Sequence, residues 1–391
     1  MQSIAQSPRD PAFVQNPYAF YDRARAQGAL LYWTDYGMPA LFTHQTVMQA
    51  LKHPALARLP AGGLPAATPH LADFAALEAH SLLNLEGPAH ARLRGLVLRD
   101  FTTGRVRQLA PQIQSLCHDL IDRFPGGPFG LMAAYCQQVP VIVIARLLGV
   151  PDADQSQLLA WSHAMVAMYQ TRADAAVEHS ANRAAAEFSS WLRGVMADKR
   201  ARLDDGLLSA LCAAGDAERL SDDEIVATAI LLLNAGHEAT VSALGHAVVR
   251  LLSTGAAAYW TASDRIDASV EECLRIDPPL HVFTRHVLAP VSLADTPLEP
   301  GQEIACILGA ANRDPAAYDT PDAFRPGRPG PLLTSFGAGV HFCLGAPLAR
   351  LEMRLALQTL FDRCPGLRLT APPVLDDTYH FHGYSSLLVS V

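Results

Sequence analysis

The sequence predicts a mainly α-helical protein with small β-sheets, an α+β fold formed as a single domain over residues 1–391. From about residue 90 to residue 255, apolar residues recur at spacings of three and four, which is typical of helices that bury one face. One helix within this region is predicted to be about 45 Å long, at 1.5 Å per residue. Prolines multiply after residue 278, and short apolar runs there favour strands.

The first predicted element is a short amphipathic helix from Tyr18 to Gln27, which Gly28 ends. Strands are expected next at residues 30–33 and 39–43, and residues 59–78, rich in Pro, Ala and Gly, are expected to form a mobile loop. Further strands are predicted at residues 282–288, 303–308 and 385–391.

The long helix carries clear boundary signals. Ser221 and Glu224 form a capping box, and Asp222 and Asp223 suit the positive end of the helix dipole. Gly255 can serve as the residue after its C-cap. The helix is apolar nearly all round from residue 225 to residue 235, so we expect it to cross the molecule and to be buried.

Composition and charge narrow the class of protein. A net charge of −8 argues against a nucleic-acid-binding surface. Seven cysteines without a CxxC pair indicate reduced thiols in a cytosolic protein. The N-terminus lacks the apolar core of a signal peptide, and the apolar stretch at residues 225–236 is too short to span a bilayer. We therefore expect a cytoplasmic protein that binds neither nucleic acid nor membrane. Separately from these observations, we expect a monomer.

The strongest motif covers residues 336–345, FGAGVHFCLG. Gly337, Gly339 and Gly345 permit positive φ and the close approach of a flat ligand. Cys343 lies just before a predicted helix N-terminus, whose N–H groups and dipole favour thiolate over thiol. For an isolated cysteine, a structural role beside a glycine turn would be the better interpretation.

These ten residues resemble the haem-binding loop of the cytochrome P450 family, FGxGxHxCxG, at every fixed position, from Phe336 to Gly345. The resemblance covers essentially the whole chain and is to the soluble bacterial class. It implies the cytochrome P450 fold, with the long central helix over the haem, and haem b (iron protoporphyrin IX) as the cofactor. It also implies that Cys343 is the iron ligand, a thiolate that favours O–O cleavage.

Two further groups of residues match family positions. Glu272 and Arg275 match the ExxR motif and, with Arg325, resemble the family's buried ion-pair network, a structural role. The resemblance implies that four residues clamp the haem propionates: His90, Arg94, Arg285 and His341. Any one of these four alone would be interpreted as an ordinary surface residue.

The segment Ala235-Gly236-His237-Glu238-Ala239-Thr240 resembles the family's oxygen-activation segment but departs from it at one position. Family members usually place a threonine directly after the acid, where this chain has Ala239. Thr240 follows one residue later, which is about 100° around a helix, so its hydroxyl should point elsewhere unless the helix is distorted. Protons would then come through ordered water from His237 or Glu238, or from a polar group of the substrate; both readings stay open.

The resemblance also sketches a substrate pocket. Its expected lining residues are Leu231, Leu232, Asn234, Ala235, Leu280, His281, Val282, Phe283 and Phe381. The loop at 379–384 should close one wall, and residues 59–84 and 162–171 should form a lid. This lining suits a mid-sized apolar molecule with a polar group, and its histidines are interpreted as hydrogen-bonded wall residues.

The function that these features imply is a monooxygenase that takes electrons from a separate ferredoxin or flavodoxin. Arg92, Arg99, Arg350 and Arg354 lie on segments that form the proximal face in the family, where an acidic donor could dock. A peroxide-driven or non-hydroxylating haem enzyme is the alternative that Ala239 permits. A haem sensor or carrier is a third reading, for which the chain offers no partner domain.

Overall fold

The computed structural model describes residues 1–64, 66–99, 101–151, 155–169, 174–213 and 220–391. Residue 65 of the expected lid loop and residues 170 and 171 of the second lid stretch therefore lie outside the described residues. The chain divides into two compact units. The first contains Met1–Ala61, Ala110–Cys136 and Ala239–Val391, and the second contains Gly62–Leu109 and Gln137–Glu238. The single-domain expectation stays a prediction.

The α-helices of the described residues, numbered in chain order, are α1 (Pro11–Gln15), α2 (Tyr18–Gln27), α3 (His44–Lys52), α4 (Ala72–Glu78), α5 (Gly87–Leu98), α6 (Thr103–Gln108), α7 (Ala110–Ile121), α8 (Gln138–Leu148), α9 (Gln155–Val166), α10 (Ala175–Ala201), α11 (Leu207–Ala213), α12 (Asp222–Ser253), α13 (Ala257–Trp260), α14 (Ile266–Ile276), α15 (Leu308–Ala311) and α16 (Ala346–Arg363). A short π-helix, Met132–Cys136, precedes α8.

The strands are β1 (Ser3–Ile4), β2 (Leu30–Trp33), β3 (Met38–Leu41), β4 (Leu56–Ala57), β5 (Phe129–Gly130), β6 (Val282–Val287), β7 (Val291–Leu293), β8 (Thr296–Leu298), β9 (Glu303–Ile307), β10 (Arg368–Leu369), β11 (Val374–Leu375), β12 (Tyr384–Ser386) and β13 (Leu388–Ser390). These elements confirm the predicted mainly helical class with small sheets.

The first unit is organised around a six-stranded sheet with the order β1-β2-β3-β9-β6-β4. Its β6 and β9 pair antiparallel over five residues, with Arg285 opposite Ile304. An aromatic core that includes Phe13, Phe20 and Trp33 packs against this sheet. The predicted α2 has the bounds expected from the sequence, and Gly28 is its C-cap.

The second unit is helical in its described residues, and it corrects one expectation. Residues 69–71 form a 3₁₀ turn, and residues 72–78 are not loop but form α4. The amide oxygen of Asn182, on α10, accepts hydrogen bonds from the backbone N–H groups of Asp73 and Phe74 at 2.9 and 3.0 Å. The Asn182 amide in turn donates to the Asp73 carboxylate at 3.0 Å. A cap from a residue 109 positions away stabilises a helix start that the local composition did not reveal.

The predicted boundaries of α12 are confirmed. The Ser221 backbone N–H donates to Glu224 at 2.9 Å, and the Glu224 N–H donates to the Ser221 hydroxyl at 3.1 Å, which completes the capping box. At the other end, Gly255 has φ +64° and donates to the Leu252 carbonyl at 3.1 Å. At 32 residues, α12 is long and apolar enough to span a membrane, but 67% of its most apolar window is buried inside the protein, as expected of a core helix.

Candidate haem and oxygen-activation site

Cys343 differs from the other cysteines of the chain in its accessibility. It is exposed, whereas Cys212 is half-buried and the remaining five are buried. Burial raises the pKa of Cys117 to about 11 and that of Cys136 to about 12, which disfavours a thiolate at either position. Of the seven sulfurs, Cys343 is therefore the one placed for a ligand to reach.

The loop that carries Cys343 needs its glycines. Gly337 and Gly339 have φ of +66° and +73°, and a Cβ on Gly339 would lie 2.5 Å from the Leu51 carbonyl oxygen. The Cys343 N–H donates to the Phe336 carbonyl at 2.9 Å, which closes the loop. Gly345 is the N-cap of α16, so the thiol lies two residues before the cap, as predicted. Side chains would block this path of the backbone at the two positive-φ positions.

A buried ion-pair network lies on the same unit as the loop. Arg275 donates two hydrogen bonds to the Glu272 carboxylate, both at 2.8 Å, and each side chain is at most 3% exposed. The expected pair is thus present.

The third arginine of this network is Arg328, not Arg325 as predicted. The Arg328 guanidinium donates to Glu272 at 3.0 and 3.1 Å and is 7% exposed. Arg325 contributes its backbone N–H, at 2.8 Å from Glu272, while its half-exposed side chain pairs with Asp319. The Arg328 N–H donates to the Arg325 carbonyl at 3.2 Å in a turn where Gly327 has φ +77°. Because of this turn, the side chain that reaches Glu272 is that of Arg328 and not that of Arg325.

The four predicted propionate ligands divide between the two units. On the first unit, Arg285 is buried on β6 and donates to the Thr284 carbonyl at 2.7 Å, and His341 is half-buried in the cysteine loop. On the second, His90 and Arg94 lie one turn apart on α5. Burial, and then the charge of Arg94, lowers the pKa of His90, so this histidine is neutral near pH 7. Their joint action on one cofactor stays a prediction.

Comparison with known proteins identifies the family. A family model described as Cytochrome P450 matches residues 265–373, which include the ion-pair network and the cysteine loop. Cytochrome P450 107B1 of Saccharopolyspora erythraea is 34% identical over 377 residues, 93% of this chain and 91% of that protein. The chain belongs to the cytochrome P450 family.

Other similar proteins extend the comparison. The Vitamin D(3) 25-hydroxylase of Pseudonocardia autotrophica is 36% identical over 365 residues, 91% of this P450 and 88% of that protein. The crystal structure of P450BioI, in complex with an acyl carrier protein ligated to hexadec-9Z-enoic acid, matches with a TM-score of 0.91 at 28% identity. That match covers 97% of this chain and 99% of the P450BioI chain, which confirms the P450 fold.

The residues present fit the haem that the family implies. An exposed thiol before a helix N-terminus supplies a soft anionic ligand of the kind that iron takes in this family. Phe336 and Gly337 hold the loop beside β6, where a Cβ on Gly337 would lie 3.3 Å from the Phe283 ring. The Arg350 guanidinium lies 4.4 Å from the centre of the Phe336 ring and also pairs with Glu271.

The oxygen-activation segment of this P450 lies in an uninterrupted stretch of α12. Ala235 is exposed and Ala239 half-buried, while Thr240 is 5% exposed. The direction of the Thr240 hydroxyl stays a prediction. A Cβ on Gly236 would lie 3.0 Å from Ile144, so this glycine has a packing role between α8 and α12. A role of Gly236 toward oxygen stays a prediction.

Glu238 lies beside two histidines of the same unit. Its carboxylate oxygen is 3.4 Å from His237 Nε2 and 3.7 Å from His163 Nε2. Burial works to raise the pKa of Glu238, but the imidazoles of His237 and His163 outweigh it, so this pKa lies below its ordinary value. Glu238 is therefore ionised at neutral pH. His163, on α9, belongs to this site although no sequence motif marks it.

The expected substrate residues separate into two groups. The side chains of Leu231, Leu232 and Ala235, on the second unit, and of Leu280, Phe283 and Phe381, on the first, are half-buried or exposed. Buried ones are Asn234, His281 and Val282. His281 is fully buried, and its Nδ1 lies 2.7 Å from the Tyr21 hydroxyl, so it is a core residue and the expectation of a pocket wall is wrong there. Asn234 packs against Met165, with its amide nitrogen 3.8 Å from the sulfur.

Proposed function

We propose that this P450 is a haem-thiolate monooxygenase that binds haem b through Cys343. The observation that carries the proposal is the combination of an exposed cysteine, a glycine loop at positive φ and a helix N-cap two residues after the thiol. When bound there, a thiolate-ligated haem supplies the activation of dioxygen, from which one oxygen atom is inserted into an organic substrate. His90, Arg94, Arg285 and His341 would bind its propionates.

The protein's own contribution to the reaction centres on Glu238. Its carboxylate is ionised and partly accessible, so it can hold a water molecule and move a proton at its Oε2 atom. Ala239 offers no hydroxyl, and the Thr240 side chain is buried. We propose that ordered water held by Glu238, together with a polar group of the substrate, completes the path of protons.

The substrate that fits is mid-sized and mainly apolar. The side chains that remain accessible in the predicted lining are leucine, alanine and phenylalanine, which offer apolar contact without fixed hydrogen-bond donors. The similar Vitamin D(3) 25-hydroxylase, named for a substrate of this kind, supports the class.

We also propose that a separate ferredoxin or flavodoxin supplies the electrons, and that the enzyme works as a cytoplasmic monomer. Three of the four arginines expected to receive the donor pair with carboxylates: Arg92 with Glu224, Arg350 with Glu271 and Arg354 with Asp267. An acidic donor would have to compete with these partners. Because the association would rest on surface charge, added salt should weaken it.

The absorption spectrum of the reduced carbon monoxide complex tests the thiolate. The haem-loaded protein should show the band at the wavelength that gives the family its name, and Cys343→Ala should lose it. Cys212→Ala, which changes a half-buried cysteine outside the loop, should keep it. Retention of the band in Cys343→Ala would show that another group holds the iron.

Ala239 specifically favours a second candidate, a peroxide-driven or non-hydroxylating haem enzyme. Turnover with dioxygen and a ferredoxin system, compared with turnover on peroxide alone, separates the two. Glu238 supports the dioxygen-driven reaction, because the family resemblance implies that peroxide-driven members usually lack an acid at this position.

A further inference from the structure

Three side chains of the second unit, His163 on α9 with His237 and Glu238 on α12, meet in a way that the proposed reaction does not require. One ligand atom of each, Nε2 of both imidazoles and a carboxylate oxygen, lies within 4.8 Å of the other two. Two imidazoles and one carboxylate are a donor set that zinc and related divalent metals take in proteins.

The orientation of His237 points to a ligand. Its Nδ1 lies 2.7 Å from the Leu233 carbonyl oxygen, and because a carbonyl can only accept, this nitrogen carries the hydrogen. In the neutral ring, Nε2 then has no hydrogen and carries a lone pair. This nitrogen is buried without a well-formed hydrogen bond. A metal-binding histidine usually donates its other N–H to a carbonyl or carboxylate in this manner.

That lone pair accepts no hydrogen bond from the described residues. A carboxylate oxygen of Glu238 lies 3.4 Å from this nitrogen, in a site where His237 is 3% exposed, so in the neutral ring two acceptors face each other. Facing acceptors repel unless a proton or a cation lies between them. A metal ion would bind both atoms at once and satisfy the buried nitrogen.

The spacing of the three atoms suits one ion. Two ligands bound to a tetrahedral zinc at about 2.1 Å lie about 3.4 Å apart. The distances from Glu238 to His237 and to His163 are 3.4 and 3.7 Å. The side chain of His163 is 51% exposed, so it can rotate to close the third spacing, and it leaves water access for a fourth ligand.

We propose that His163, His237 and Glu238 form a binding site for a divalent metal of the zinc class. An ion bound there would hold the carboxylate that the proposed function assigns to proton delivery, so zinc would inhibit turnover. This consequence rests on the proposed function, whereas metal binding itself does not.

The test is metal analysis and calorimetry of the haem-loaded, chelator-treated full chain, with zinc chloride as the probe. We expect one zinc per chain. His163→Ala changes an exposed position, and His237→Gln removes the oriented nitrogen. Each substitution should raise the zinc dissociation constant by more than about tenfold, because losing a ligand costs at least as much affinity as losing an outer-shell partner. His179→Ala removes an exposed histidine of the same unit and should leave zinc binding unchanged.

The experiment can refute the zinc site and the proton role of Glu238 independently of each other. If wild type takes up no stoichiometric zinc, or if both cluster variants bind zinc as tightly as wild type, the site does not exist. Equal weakening in His179→Ala would also overturn it, because the metal would then lie elsewhere on the surface. Stoichiometric zinc that the cluster variants lose would support the site even if reductant consumption were unchanged by zinc, a result that would count against the proton role of Glu238 instead.

Discussion

Replacing Arg328 or Arg325 by methionine distinguishes two arginines that the sequence presents as near equivalents. Methionine keeps much of the length of the side chain and removes its charge. Arg328→Met takes the second cation from Glu272, whose carboxylate is 2% exposed, whereas Arg325→Met removes a side chain that is 49% exposed. The backbone N–H of Arg325, which donates to Glu272, is retained in both variants.

The two substitutions should differ in free energy of unfolding by at least about 2 kcal/mol. Removing one partner of a buried ion pair costs about 3–5 kcal/mol, and the two retained hydrogen bonds from Arg275 place Arg328→Met near the lower end. The Arg325–Asp319 pair joins two exposed side chains, for which about 0–1 kcal/mol is typical.

The assay is urea denaturation of the haem-loaded protein, followed by circular dichroism and by loss of haem absorption. Arg328→Met should unfold at clearly lower urea and lose haem earlier, while Arg325→Met should follow the wild-type curve. The assignment of Arg328 to the network is wrong if Arg325→Met is destabilised as much as Arg328→Met.

Three further predictions concern pH, backbone and proton delivery. Burial raises the pKa of Glu352 well above its ordinary value, so the folded protein keeps a proton that the unfolded chain releases, and the stability present at acid pH is lost as pH rises. Glu352→Gln should remove up to about 1.4 kcal/mol per pH unit of that decline between about pH 5 and 8, measured as unfolding free energy; an unchanged slope would contradict it. Gly339→Ala should destabilise the protein and lower haem content, by the strain of φ +73° and a 2.5 Å contact, whereas Gly194→Ala, on α10 with open space around it, should be neutral or stabilising by about 1 kcal/mol. Thr240→Ala should leave peroxide release per reductant consumed nearly unchanged and Glu238→Ala should raise it; equal uncoupling by both would show that Thr240 lies on the proton path.

The sequence predicted the elements whose signals are local. The capping box at Ser221 and the glycine after α12 act within a few residues, so the bounds of that helix follow from the chain itself. The loop at Cys343 could be predicted in the same way, because its glycines and the helix start lie close together along the chain.

The features that the sequence did not reveal depend on distant partners. Helix α4 is capped by Asn182, 109 positions away, in a stretch whose composition favours loop. His281 is in a segment expected to line the pocket, yet Tyr21, 260 positions before it, hydrogen-bonds its ring in the core. Arg328 replaces Arg325 because a turn reverses which side chain faces inward, and the pairing of His163 with Glu238 joins two helices that no local pattern connects.

The contrast between one exposed and five buried cysteines has a practical consequence for handling the protein. A thiol reagent applied to chain that lacks its cofactor should modify Cys343 first, because reactivity requires both access and thiolate character. Alkylation of that sulfur, or its oxidation to the sulfinic or sulfonic acid, would block the iron ligand irreversibly, so preparations that lose haem should lose the ability to take it up again. The final extent of labelling at Cys343 can therefore serve as a count of cofactor-free molecules in a preparation.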